Sequence, residues 1–145
     1  MIRATYDTNT LASGTTISQG PISFVIDAWI NDEVEMITSE PLINELTRTL
    51  SKPYFTTRLT LEQTQSFIKL VRERATIVPI TTPIPNIATH PEDNIVLATA
   101  ESGNASYIVT GDYGLQNLIE FKDVHIVNAR NFNEILQKDK TGKRG

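Results

Sequence analysis

His90-Pro91-Glu92-Asp93-Asn94-Ile95-Val96-Leu97-Ala98-Thr99-Ala100 sets two acids on the first turn of a segment that becomes apolar at once. Pro91 suits the first helical position, where its missing N–H costs nothing. Ile95, Val96, Ala98 and Ala100 leave little of this helix polar enough to face water, which predicts a buried helix over 91–102 closed by Gly103. Short β-branched runs lie on either side. Thr76-Ile77-Val78 precedes it, across a connection over 79–85 that carries Pro79, Pro83 and Pro85, and Ser106–Thr110 follows it. A strand, a buried helix and another strand make a parallel βαβ unit. Glu92 and Asp93 need a counter-charge where the helix enters a core, and no Lys or Arg stands near. The plainer alternative is that both simply favour the positive end of the helix dipole.

The same alternation runs through the rest of the chain. Residues 2–6 read as a first strand, ending at Asp7-Thr8-Asn9-Thr10, with a Ser/Gly/Thr loop from Ser13 to Gly20. From Pro21, Ile22, Val25, Ile26, Trp29 and Ile30 form a helical stripe that assigns Trp29 to the core. Met36–Thr38 is a second strand. Ser39 then serves as N-cap of a helix with Leu42, Ile43, Leu46 and Leu50 on its apolar face. Glu45 borders that face, and Lys52-Pro53 ends the helix. Thr60 and Gln63 form a capping box for a helix burying Phe67, Ile68, Leu70 and Val71. Residues 115–119 suit a short helical turn, Val124–Val127 a fifth strand and Asn131–Leu136 a terminal helix. The expected organisation is one domain over 1–137, with a disordered basic tail over 138–145. Parallel strands with helices on both faces of the sheet are the expected architecture.

Bulk properties narrow the function. The 145 residues include no cysteine, so disulfides and thiolate metal sites are excluded. His90 and His125 sit in unlike settings and do not suggest a zinc site. No apolar run is long enough to span a membrane, and the start of the chain shows no signal-peptide pattern, so a cytoplasmic protein is expected. A formal charge of −4 argues against electrostatic coating of nucleic acid. It leaves room for an enzyme that reaches nucleic acid through cations, since carboxylates that hold cations count as negative.

In open parallel sheets, ligands bind beyond the carboxyl ends of the strands. Asp7 and Asp112 end strands one and four, Glu45 lies in the helix entered from strand two, and Asp93 opens the helix reached after strand three. All four can converge on one edge. Clustered carboxylates repel unless protons or cations lie between them. A site of acids without His or Cys points to Mg²⁺ or Mn²⁺. One or two such ions permit in-line phosphodiester cleavage. Asn9, Asn94, Thr8 and Thr110 are placed to hold waters or to orient the acids. Arg48 and Lys52, beyond Glu45, are candidate RNA-phosphate contacts.

Asp7-Thr8-Asn9, Ser39-x5-Glu45-Leu46, Pro91-Glu92-Asp93-Asn94-x2-Leu97-Ala98-x-Ala100 and Thr110-Gly111-Asp112 together resemble the PIN-domain family. Their order and spacing suit the VapC-like branch of toxins from toxin–antitoxin pairs, over nearly the whole chain. The resemblance implies a three-layer α/β/α sandwich with a central, mainly parallel sheet of four to five strands. It also implies a metal-dependent ribonuclease that cleaves RNA with Asp7, Glu45, Asp93 and Asp112 as its acidic quartet. Asn9 and Thr110 match supporting polar positions, an antitoxin is the implied partner, and such toxins commonly form homodimers. The family often carries a second Asp where this chain has Asn94.

Other readings compete. Asp7 could be an Asx-turn residue, Asp112 an ordinary turn residue and Glu45 a surface charge. An aspartyl phosphotransferase would want an acid where Asn9 stands and a Lys after strand four, and a receiver-like signalling domain fails for the same missing Lys. A non-catalytic module that binds RNA or protein is the rival from another class.

Overall fold

The computed structural model describes residues 1–142, with side chains through Lys140. The order of elements is β1 (Ile2–Tyr6), α1 (Thr8–Gly14), α2 (Pro21–Ile30), β2 (Val34–Thr38), α3 (Glu40–Leu50), α4 (Pro53–Thr56), α5 (Leu61–Arg74) and β3 (Thr76–Ile77). Then follow α6 (Pro91–Ser102), β4 (Tyr107–Val109), α7 (Tyr113–Gln116), β5 (Glu120–Phe121), β6 (Val124–Val127) and α8 (Ala129–Gly142). The sheet is six-stranded in the order β3-β2-β1-β4-β6-β5. Every pairing is parallel except that of β5 with β6. No helix among the described residues is long and apolar enough to cross a membrane.

Two cores flank the sheet, which makes the α/β sandwich that was expected. One gathers Tyr6, Val25, Trp29, Met36, Leu46 and Phe132 under α2, α3 and α8. The other packs Ile37, Val96, Leu97, Ala100, Ile108 and Ile126 under α6. Met36 and Ile37 fall in different cores because successive strand side chains point to opposite faces. Trp29 is fully buried, and its indole Nε1 donates to the Arg74 carbonyl at 3.1 Å. The two cores explain why α6 is apolar on most of its surface, since it lies on the sheet and also touches α3.

Several expectations are corrected. The sheet has six strands, not four to five, because β5 is a two-residue antiparallel strand turned by Ile119 and Lys122, both at positive φ. The residues after Asp7 form a helix, α1, with Asp7 capping it through Thr10 N–H. Helix α8 continues through Gly142, so residues 138–142 are helical rather than tail, while 143–145 lie outside the described residues. In α5 the capping box of Thr60 and Gln63 is present, but only Val71 is fully buried. Ser39 occupies the N-cap of α3, yet its hydroxyl shares a hydrogen bond of 2.8 Å with Thr99 instead of capping.

Gly103 follows α6 with φ −93°, a conformation open to any residue, and Asn104 takes the left-handed position at φ 55°. The glycine is needed for space. A Cβ there would lie 2.3 Å from Ile37 Cγ2, on a strand that the helix end approaches closely.

Candidate active site

Strand β1 pairs with β2 on one side and β4 on the other, so the chain reverses its winding between β1 and β4. Doubly wound sheets open a crevice at such a switch point. Asp7 leaves the end of β1 and Asp112 follows β4, which sets them on either side of that crevice. Helix α3 brings Glu45, and the first turn of α6 brings Asp93. All four acids line a single cavity of about 240 Å³, together with Asn9, Lys52 and His90.

Asp7 is buried. Its Oδ1 accepts from Thr10 N–H at 2.8 Å, and its Oδ2 accepts from the Thr110 hydroxyl. Burial pushes the Asp7 carboxyl up, against the opposing pull of those hydrogen bonds, and the Asp112 charge adds to the rise. Asp93 is half-buried and its carboxyl is pushed up to about 6. Desolvation is the main cause, followed by the charges of Asp112 and Asp7, with His90 pulling the other way. Asp112 Oδ2 accepts from Leu115 N–H at 2.8 Å as the cap of α7. Asp7 and Asp112 therefore do serve as local caps, as the plain reading of each required. Each carboxylate has lone pairs left over, because one N–H or O–H per oxygen does not exhaust it.

Glu45 is held by Arg48 at 2.8 Å, the i,i+3 partner on its own helix. Thr49, one turn beyond Glu45 on α3, and Lys52, just past the end of that helix, line the cavity with it. The quartet supplies oxygen donors only, which is the type that hard divalent cations prefer. Among the described residues no three acidic or histidine side chains are gathered closely enough to hold a metal ion as they stand.

Three other expected residues sit elsewhere than in the cavity wall. Asn94 is buried, and its Oδ1 accepts from the N–H groups of Ile87 and Ala88 at 3.2 and 3.0 Å. It anchors the loop that leads into α6. Thr110 lies behind the cavity, between Asp7 and Asp112, and accepts from Asp112 N–H at 3.0 Å. Arg48 points into solvent beside Glu45. The sequence reasoning passed over Thr49, His90 and Glu92 as cavity residues. Thr49 was recoverable from its i+4 spacing to Glu45, whereas the positions of His90 and Glu92 depend on how the long loop before α6 is folded. His125 is remote, exposed on β6 with its ring 5.9 Å from that of Tyr107.

Residues 3–114 match the family model described as the PIN domain. The chain belongs to the PIN-domain family. Solved structures carry the same fold at low identity. PAE2754 from Pyrobaculum aerophilum aligns with a TM-score of 0.60 and 16% identity, over 94% of this chain and 90% of that one. VapBC2 from Rickettsia felis, bound to a DNA fragment from its promoter, gives 0.57 and 14%, over 88% and 98%. FitAB bound to the IR36 DNA fragment gives 0.57 and 18%, over 87% and 94%. No curated protein sequence matches the chain. The matched span of the PIN-domain model runs from β1 through Asp112 and so includes all four acids of the cavity.

Proposed function

We propose that this PIN-domain protein is a metal-dependent ribonuclease and acts as the VapC-like toxin of a toxin–antitoxin pair. The observation that carries the reading is the convergence of Asp7, Glu45, Asp93 and Asp112, from four separate segments, on one cavity at the carboxyl edge of the sheet. The cation would be Mg²⁺ or Mn²⁺, held by these carboxylates. Bound there, it supplies positive charge against the phosphate oxyanions and a water acidic enough to attack phosphorus. The chain's own residues do the positioning. Thr110 and Thr10 fix the Asp7 carboxylate from behind, Leu115 N–H fixes Asp112, and Lys52 stands at the rim where a phosphate of the RNA can reach it. Arg48 is the second candidate for a phosphate, on leaving Glu45. Asn9, on the same rim, is placed to hold a water.

The neighbours in fold include complexes named VapBC2 and FitAB, which supports an antitoxin as partner. Such an antitoxin would cover the acidic crevice, and a homodimer is the expected assembly. A second reading has one observation in its favour: the carboxylates are not gathered as a ready metal cage. On that reading the chain is a non-catalytic PIN module that binds RNA or protein. Cleavage of single-stranded RNA in Mn²⁺, abolished by chelator and by Asp93→Asn, separates the two. RNA bound but left whole, in Mn²⁺ and in Mg²⁺ alike, would select the binding module.

A further inference from the structure

A second cavity, of about 550 Å³, adjoins the acidic one and shares Asn9 and Asp112 with it as a common wall. Its far side has a different chemistry. Pro21 and Ile22 at the start of α2 and Ala129 at the start of α8 give it apolar surface, and Arg130 stands there too. Arg130 is exposed and forms no ion pair among the described residues. Lys52, at the acidic cavity, is likewise exposed and unpaired among them. By contrast, Arg3, Arg48, Arg72 and Arg74 each hold a carboxylate. The two cavities therefore form one track with a free cation at each, on a chain of net charge −4.

We propose that the second cavity seats the nucleoside next to the scissile phosphate of single-stranded RNA, with Arg130 on the phosphate beyond it. This deepens the ribonuclease reading and rests on it. The shared wall is the first argument, because a strand whose phosphate lies over the acids must send its neighbouring nucleoside past Asn9 and Asp112. The lining is the second. A base buries its faces against apolar side chains, and the volume falls in the range typical of small-molecule sites. Arg130 is the third, since a planar guanidinium suits both a phosphate and the face of a base. A duplex would keep its bases stacked and could not fill the cavity, which selects single strands.

The test uses the full chain and a labelled, uncleavable 2′-O-methyl RNA strand, titrated by fluorescence anisotropy in Mg²⁺. Arg130→Ala and Ile22→Trp, which fills the cavity, are each expected to weaken binding by about tenfold. Ile22→Ala reads the same wall should the tryptophan unfold the chain. Arg58→Ala is the control: its guanidinium lies 3.7 Å from the Tyr54 ring centroid and it lines neither cavity. Its affinity is expected to stay within about twofold of wild type. Unchanged affinity in the cavity variants, an equal loss in Arg58→Ala or no binding by the wild type would overturn the assignment. Of these, unchanged affinity would leave the cavity to an apolar side chain of a protein partner. Cleavage is scored separately on ordinary RNA in Mn²⁺. RNA bound through the cavity but never cut would remove the ribonuclease reading, and with it the scissile phosphate, and leave the cavity as a nucleoside-binding site. RNA cut normally, with variant affinities unchanged, would remove this inference alone.

Discussion

The Thr110 hydroxyl donates to Asp7 Oδ2 and accepts from the N–H of Asp112, so one buried side chain couples the two acids that flank the crevice. Neither acid can shift without disturbing the other's support. Thr110→Val keeps the shape and removes both hydrogen bonds. It leaves a buried carboxylate oxygen and the Asp112 N–H short of a partner, at an expected cost of about 1–3 kcal/mol. Thr110→Ser should recover most of that. Urea unfolding of the three proteins checks the stability, and Mn²⁺-dependent cleavage should fall with Thr110→Val and return with Thr110→Ser.

Asp7→Asn tests whether this carboxylate serves the fold or the site. Asparagine caps a helix about as well as aspartate, so α1 keeps its start. The substitution also removes a buried charge whose burial already works against ionisation. Without divalent cation the melting temperature is therefore expected to hold or rise, while cleavage is lost. A large fall in melting temperature would make Asp7 a structural residue and weaken the site.

Much of this architecture is legible in the residues. The stripe of Ile22, Val25, Ile26 and Trp29 marked out α2 from Pro21 to Ile30, and the capping box at Thr60 marked the start of α5. Long amphipathic segments repeat their signal over several turns, which is why they survive without tertiary information. Helix α1 and strand β5 do not. Seven residues with two adjacent apolar side chains, and a two-residue strand, carry too little pattern, and tertiary packing decides them. Asp7, Asp93 and Asp112 were legible because each follows or opens a recognisable element, and Glu45 because it borders the apolar face of its helix. The contact that Asn94 makes could not be read from its place beside Asp93, because its Oδ1 accepts from the backbone of the loop that leads into α6, and only the fold of that loop sets this. Arg130 had no signal, since only the placement of α8 brings it near the crevice.

Gly103→Ala probes packing apart from chemistry. The backbone there tolerates alanine, but the new methyl would fall on the Cγ2 of Ile37, which is fully buried and has little room to move. Overpacking of this kind costs about 1–3 kcal/mol. The urea midpoint should drop accordingly with Mn²⁺-dependent cleavage little changed below the transition. An unchanged midpoint would mean that α6 can move away from β2.

The raised carboxyl groups predict an unusual pH dependence. An unfolded aspartate titrates near about 3.9. Asp93 in the folded chain titrates at about 6, and Asp7 is raised in the same direction. Between those values the folded protein holds protons that the unfolded chain has released, so stability must fall as pH rises through this window. The stability that these groups lend is full below the unfolded value and gone above the folded one. In chelator, urea midpoints should therefore decline from pH 4 toward pH 7 by more in wild type than in Asp93→Asn, which lacks the titrating group. Millimolar Mn²⁺ should reverse the decline at pH 7 in wild type and do little for the variant. Cleavage should run the other way, rising as Asp93 ionises through about pH 6. A wild-type midpoint that climbs over this range would show that the acids are paired within the fold and do not wait for a cation.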